Sequence, residues 1–376
     1  MIRCDVSMGG AMDEENVSNS VVAYQPRGLL LQWHITERCN LRCAHCYQDD
    51  YSHNELPLAE LLNLLRQYLS LLRNIRENSG RCRRKWGHIT VTGGEPFIRR
   101  DFLDLLDVFH GHRHDFSFAV LTNGSLIDRP IATRLSKLRP AFIQVSIEGS
   151  RSTHDKIRGT GNFDRTVEAL KLLNRRRIRT LISFTAHRAN FREFTDVAEL
   201  GRKLGVWRVW ADRLIPCGSG TDLRQNVLTP QETLEFFKIM SAERKKMARR
   251  WFCRTEVAMH RALQFLVAGT TPYYCTAGDS LITVQPNGDL LPCRRMPIRV
   301  GNLLNTPLEE LYYESDILQS LRDRSRVSEG CQGCLHNSRC RGGLKCLSYA
   351  VTGDPFVADP GCRLARRESP AVACKG

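Results

Sequence analysis

The sequence predicts an α/β protein: a partial (β/α)6 TIM-like barrel, open at one side, with a small cysteine-rich domain behind it. Three observations predict it. Strand-like and helix-like segments alternate from Leu29 to Trp210, and the alternation stops after Asp212. Seven of the fifteen cysteines then fall between Cys275 and Cys362. Strands alternating with helices imply parallel β/α units. Six units make an open partial barrel more naturally than a closed barrel of eight.

The elements follow in order. Residues 1–26 read as a flexible N-terminal segment. Leu29 to Ile35 is an apolar strand. Leu58 to Leu72 is leucine-rich at helical spacing, with Pro57 at its start. His88 to Thr92, Phe116 to Leu121, Phe142 to Ile147, Thr180 to Thr185 and Val206 to Trp210 are the remaining strands. Asp101 to His110, Asp128 to Leu138, Phe163 to Asn174 and Phe191 to Leu204 are the helices between them. The barrel therefore spans 27–216. A helical linker covers 217–273, with helices from about Pro230 to Arg250 and from Glu256 to Ala268. Leu281 to Gln285 and Asp289 to Leu291 flank Asn287-Gly288, a strong hairpin signal. They open a loop-rich domain over 274–366, followed by a tail over 367–376.

Composition narrows the class. The 376 residues are 42% hydrophobic, ample for a core, and no apolar run is long enough for a membrane helix. The polar N-terminus has no signal-peptide core, so a cytoplasmic location without membrane contact is expected. Fifteen cysteines without an export signal point to metal ligation rather than disulfides. Lys and Arg exceed Asp and Glu by 55 to 40, a net charge of +15. The excess lies in clusters such as Arg81 to Lys85, Arg175 to Arg177 and Arg244 to Arg250. Such a balance suits nucleic acid, an acidic peptide or another anionic partner. Aromatic residues do not interleave with the clusters, so a base-stacking nucleic-acid platform is not indicated.

Cys39, Cys43 and Cys46 form C-x3-C-x2-C directly after the first strand. Three thiolates on one short loop can hold three irons of a [4Fe–4S] cluster and leave the fourth iron open. The competing reading is a zinc site completed by His34 or His45. The second strand ends in Gly93-Gly94-Glu95-Pro96. Tandem glycines let a ligand approach the backbone, and Glu95 offers a carboxylate to an ammonium group.

This pair of motifs resembles the radical S-adenosylmethionine superfamily over roughly Leu29 to Pro216. The resemblance implies that S-adenosylmethionine chelates the open iron through its amino and carboxylate groups. Gly93, Gly94 and Glu95 would then contact the amino group. An electron from the cluster would cleave the sulfonium to a 5′-deoxyadenosyl radical that takes hydrogen from a substrate. By the same resemblance His45 would line the adenine pocket, and Ser146 and Glu148 would meet the methionine or ribose. Glu148 stands where the family usually has Asp. Arg158 would face the carboxylate, and Thr122-Asn123-Gly124 ends the third strand at the same rim.

The C-terminal cysteines, Cys275, Cys293, Cys331-x2-Cys334-x5-Cys340, Cys346 and Cys362, resemble the SPASM domain, which carries two auxiliary iron–sulfur clusters. A zinc ribbon is the bland alternative. The resemblance implies an outer cluster on Cys331, Cys334, Cys340 and Cys362. It implies an inner cluster on Cys275, Cys293 and a cysteine after Cys340. The usual position for that last ligand is Leu344. Cys346 lies two residues on, and alternation along an extended segment would let it reach the cluster. The inner cluster then has three cysteines, with its fourth site open or closed by a group such as Asp279. Cys4, Cys82, Cys217, Cys253 and Cys374 match no motif; Cys217 lies nearest the expected mouth. The catalytic acid or base is not assigned.

SPASM-type relatives mostly modify polypeptides, so the resemblance implies a maturase of a ribosomally made peptide, served by a reductant such as flavodoxin or ferredoxin. No leader-binding domain is evident in the N-terminal segment. The alternatives are a radical enzyme acting on a small metabolite or RNA base, and a non-catalytic electron carrier. An electron carrier has no use for the ammonium pocket at Gly93-Gly94-Glu95.

Overall fold

The computed structural model describes residues 24–51, 55–79 and 86–366. Six parallel strands form the centre: β1 (Leu29–His34), β2 (Gly87–Thr92), β3 (Phe116–Thr122), β4 (Ile143–Ser146), β5 (Thr180–Ala186) and β6 (Arg208–Arg213). The helices packed against them are α1 (Leu58–Asn78), α2 (Phe102–Gly111), α3 (Arg129–Leu138), α4 (Arg151–Arg158), α5 (Asn162–Arg175) and α6 (Phe194–Leu204). The expected α/β partial barrel is the observed one.

Local chemistry sets several boundaries. Asp128 caps α3 by accepting from the Ile131 N–H at 2.8 Å. The long helix α7 (Pro230–Ala248) starts at a reciprocal capping box of Thr229 and Glu232, with Pro230 in its first turn. Gly205 ends α6 in the left-handed region at φ 69°.

The sheet does not stop at six strands. A short β7 (Glu256–Val257) runs parallel to β6, so Glu256 to Ala268 is not the helix expected there. Only α8 (Phe265–Ala268) is helical. The exposed edge of β6 takes a strand partner in place of the helical turn. On the other edge, β8 (Leu281–Val284) pairs with β1 in parallel and turns into β9 (Asp289–Leu291), which pairs with β10 (Gly301–Asn302). The Asn287-Gly288 hairpin is present, with Gly288 at φ 87°. The sheet order is β10-β9-β8-β1-β2-β3-β4-β5-β6-β7, an open arc whose two ends are not paired.

The rest is more helical than the loop-rich reading. It contains α9 (Leu308–Glu314), α10 (Asp316–Arg322), α11 (Asn337–Cys340) and α12 (Lys345–Thr352). These helices are short, which hides their periodicity. Among the described residues no helix is long and apolar enough to cross a membrane.

Strand alternation divides the sheet into two faces. Trp33, Ile89, Val91, Val120, Val145, Ile182 and Val209 are buried in the apolar layer shared with the helices. The opposite registers, Gln32↔Thr90, His34↔Thr92, Ser146↔Ser183 and Thr185↔Asp212, are polar. Trp210 Nε1 donates to Gln144 Oε1 at 3.1 Å across the intervening β5, so these side chains share the concave face. A closed barrel fills that face with branched apolar side chains. Here it is a polar lumen.

Candidate active site

The cysteine loop after β1 is placed by backbone contacts. The Ala44 N–H donates to Ile157 O at 2.9 Å, and Cys46 N–H to Cys43 O at 3.0 Å. Asn123 Nδ2 donates to Asn40 Oδ1 at 3.0 Å, so the Thr122-Asn123-Gly124 corner pins the loop. Burial pushes the Cys39 thiol up to about 11. Metal binding at this loop would therefore release protons. Among the described residues no three His, Cys, Asp or Glu side chains converge as ligands of a single ion would. Thiolates that bind separate irons of one cluster stand further apart, and Cys39, Cys43 and Cys46 could hold one.

Gly93 and Gly94 lie against this loop. The Gly94 N–H donates to Thr36 O and the Glu95 N–H to Arg38 O, both at 2.8 Å. A Cβ on Gly93 would stand 2.5 Å from Thr36 O, and one on Gly94 2.2 Å from Arg38 O. The expectation was that these glycines admit a ligand. Their Cβ space is filled by the chain's own backbone, and their smallness seats the second strand's end on the cysteine loop. Glu95 is fully buried, accepting from Thr122 Oγ1 at 2.7 Å and from the Asn123 N–H at 2.8 Å. Burial pushes its carboxyl up to about 7.

His45, Glu148 and Arg158 come together beside Cys43. Glu148 Oε1 accepts from Arg158 at 2.6 and 3.1 Å and lies 3.1 Å from His45 Nε2. Its Oε2 accepts from the Thr185 N–H at 2.8 Å. Burial opposes ionisation of Glu148, but the charges of Arg158 and His45 overturn that and hold it well below the usual carboxylate range. Arg158 also reaches the Cys43 sulfur at 3.7 Å. Glu148 thus orients the Arg158 cation against Cys43 of the cysteine loop. Ser146 Oγ lies 3.3 Å from Ser183 Oγ on the lumen face.

The lumen holds buried polar atoms that have no partner among the described residues: His34 Nε2, His45 Nδ1, His187 Nε2, Thr283 Oγ1 and Gln285 Nε2. His34, His187, Thr283 and Gln285 lie at or near the C-terminal ends of their strands, and His45 lies on the cysteine loop above them. Unsatisfied buried groups are costly, and such a rim fits a polar ligand such as S-adenosylmethionine.

The loop after β6 closes over the first cysteine loop. The Gly220 N–H donates to Cys46 O at 2.8 Å, and Ser219 Oγ to Gln48 O at 2.9 Å. Cys217 sits on this loop, where burial pushes its thiol up to about 11 and Cys46 and Cys293 lie within charge reach. Arg294 lies over the Tyr47 ring at 5.3 Å and also faces His34 and Cys217. Among the described residues no carboxylate pairs with it.

The C-terminal cysteines fall into two groups. Cys331, Cys334, Cys340 and Cys362 line one cavity together with Asp359. The Cys334 N–H donates to Cys331 O at 3.1 Å, and Cys362 N–H to Asp359 O at 2.8 Å. Cys293 and Cys346 share a hydrogen bond, which with Arg295 lowers Cys293 to about 6. Cys275 lies beside Cys293 and accepts from the Lys345 N–H. Cys346 is brought there by the first turn of α12, not by the extended alternation expected. Leu344, the helix N-cap, is extended and buried, and its N–H donates to Asp359 Oδ2 at 2.9 Å. Asp279 is not with this group: it accepts from the Tyr24 hydroxyl and faces Arg322 and Arg341.

Sequence reasoning missed Tyr47, Asp212, Arg213, Arg294, Arg295 and Asp359. The dipeptide Arg294-Arg295 directly after Cys293 was the available signal. Arg81 to Lys85 lie outside the described residues.

Comparisons with known proteins bear on the family and the fold. The Radical SAM superfamily profile matches residues 33–201, and the SPASM iron-sulfur cluster-binding domain profile matches 275–335. The AdoMet-dependent heme synthase of Methanosarcina barkeri is 25% identical, over 89% of this chain and 95% of its own. The mycofactocin maturase MftC of Mycobacterium tuberculosis is 28% identical, over 92% of this chain and 85% of its own. The crystal structure of Streptococcus suis SuiB bound to precursor peptide SuiA has the same fold, with a TM-score of 0.69 at 15% identity. That match covers 90% of this chain and 76% of SuiB.

Proposed function

We propose that the chain, which carries a radical SAM domain and an SPASM domain, is a radical enzyme that matures a ribosomally made peptide. The observation that carries the reading is the similarity to the mycofactocin maturase along nearly the whole chain. Arg294 adds to it: a half-buried cation beside the first cysteine loop, with no carboxylate partner among the described residues, suits an acidic group of substrate. The open end of the sheet suits an extended chain.

Cys39, Cys43 and Cys46 hold the radical-generating cluster in this reading. Cys275, Cys293 and Cys346 hold the inner auxiliary cluster, and Cys331, Cys334, Cys340 and Cys362 the outer one. When bound, the first cluster supplies the electron that cleaves S-adenosylmethionine to the 5′-deoxyadenosyl radical, which takes a hydrogen atom from the peptide. Arg158, oriented by Glu148, faces the methionine carboxylate. His45 lines the adenine pocket, and Ser146 meets the methionine or ribose. Glu95, next to Gly93 and Gly94, holds the ammonium group. The electron donor is a flavodoxin or ferredoxin.

Glu95 makes the binding step sensitive to pH. Its pKa is raised by burial, against Asn123, Thr122, Phe97 and Arg158, which favour the anion; Cys39 is the neighbouring acid. The group is therefore ionised above about pH 7 and neutral below. S-adenosylmethionine should bind more weakly as pH falls through about 7. Glu95→Gln should bind about tenfold to hundredfold more weakly, as expected for a lost charge-assisted hydrogen bond, and show no inflection there. Calorimetric titrations of the loaded protein across that range check both. An inflection retained in Glu95→Gln assigns the titration to another group.

A second reading is favoured by the heme synthase similarity, which covers nearly all of both chains. There the anionic group at Arg294 belongs to a small metabolite. One assay separates the two. Loaded enzyme, S-adenosylmethionine and dithionite are incubated with any small peptide found encoded beside the gene, and in parallel with an iron porphyrin bearing carboxylates. A mass change in the peptide coupled to 5′-deoxyadenosine formation supports maturation. Turnover with the porphyrin alone replaces it with the second reading.

A further inference from the structure

Two ion pairs run end to end along the seam between barrel and C-terminal domain. Asp212, in β6, accepts from Arg295 at 2.9 Å. Its neighbour Arg213 makes a two-pronged pair with Asp359, at 2.7 and 2.6 Å. The Arg213 and Asp359 side chains are 2% and 0% exposed. The order along the seam is Arg295, Asp212, Arg213, Asp359.

The two ends of this row meet different cysteine groups. Arg295 donates to the Cys293 sulfur, against which Cys346 lies. Arg213 is also within charge reach of Cys346. Asp359 walls the cavity of Cys331, Cys334, Cys340 and Cys362. The buried Lys345 faces Cys275 of one group and Cys331 of the other, so it favours neither. Buried ion pairs are weak devices for stability, because desolvation offsets much of their attraction. Their orientation is what distinguishes this row.

We propose that Arg295, Asp212, Arg213 and Asp359 form a potential-setting relay, raising the reduction potential of the inner auxiliary cluster and lowering that of the outer one. The inference rests on the ligand sets proposed above. Reduction adds one negative charge to a cluster. A guanidinium beside the sulfurs favours the added charge, and a carboxylate disfavours it, more strongly where water is excluded. A single electron given to the pair by an external reductant therefore rests on the inner cluster, nearer the first cysteine loop. No bond is made or broken in this transfer.

The test is a dithionite titration of the full-length, iron-loaded protein followed by electron paramagnetic resonance. A background with Cys39, Cys43 and Cys46 replaced by Ala isolates the auxiliary clusters. Arg295→Gln should lower the inner potential and leave the outer one in place, and Arg295→Lys should restore it. Asp359→Asn should raise the outer potential. Each charge-removing variant should shift the distribution of the electron between the clusters about tenfold toward the outer one, about 59 mV for a one-electron couple. If Asp359→Asn does not assemble, the Arg295 pair decides alone. A residue that only supports packing would lower the melting temperature without moving either potential, and that result overturns the relay. Failure of the ligand sets reads differently: Cys293→Ala and Cys362→Ala would then lose no iron.

Discussion

Replacing Cys39, Cys43 and Cys46 together by Ala should reduce 5′-deoxyadenosine formation to background while the auxiliary iron stays bound. If all three clusters are cubanes, iron should fall by about four of about twelve atoms. The geometry makes the variant a clean one. Two of the loop's contacts use sulfurs, Arg158 to Cys43 and the Leu41 N–H to Cys39, but its backbone contact from Ala44 N–H to Ile157 O and the Asn123 to Asn40 contact do not. Loss of three thiols should therefore leave the fold intact, which circular dichroism checks. The C-terminal cysteines lie on separate elements and should keep their iron. Retained S-adenosylmethionine cleavage under dithionite would falsify the assignment of the radical-generating site.

The repeating part of the fold was legible because burial imposes a period on each element. A strand packed under helices must be apolar on that face, and α1 through α6 carry their own buried stripes. The ends were less legible. β6 reads as Val206 to Trp210 but runs to Arg213, because its last residues, Asp212 and Arg213, are charged and look like a loop. They are buried by partners at Arg295 and Asp359, far along the chain. No local window holds that information. The same holds for Glu256 to Ala268, where the edge of β6 outweighs helical patterning.

The site was legible where chemistry imposes spacing. Cysteines that share a cluster must sit at short fixed intervals, so C-x3-C-x2-C and C-x2-C-x5-C stand out. Pairs such as Glu148 with Arg158 were visible as residues but not as a contact. Their partnership depends on α4, which falls inside a stretch read only as a motif. The glycines of the second strand were visible as a motif, but the backbone that fills their Cβ space, at Thr36 and Arg38, comes from far along the chain.

Loss of Cys346 should remove the inner auxiliary cluster, and loss of Leu344 should not. Family spacing alone would place the ligand at position 344. The structure separates the two positions by their environments. Cys346 is 1% exposed and shares a hydrogen bond with Cys293, beside Cys275. Leu344 is 4% exposed in the apolar core, and its polar contacts are made by its backbone: its N–H donates to Asp359 and its carbonyl accepts from the Leu347 and Ser348 N–H groups. Leu344→Ala would keep those contacts and leave a cavity, costing about 2–5 kcal/mol. Leu344→Met conserves volume and should cost under about 1.5 kcal/mol. Both should retain full iron and an unchanged cluster spectrum. Cys346→Ala and Cys346→Ser should each lose up to about four irons and the matching resonance signal, with substrate turnover lost alongside. The serine variant keeps the side chain's size, so a packing defect cannot account for iron lost from both. Equal iron and spectra in the two Cys346 variants would remove that residue from the ligand set and leave Cys275 and Cys293 without their third thiolate. Iron lost from Leu344→Met with Cys346 intact would instead show that the register of α12, rather than its first-turn thiol, is what the inner cluster depends on.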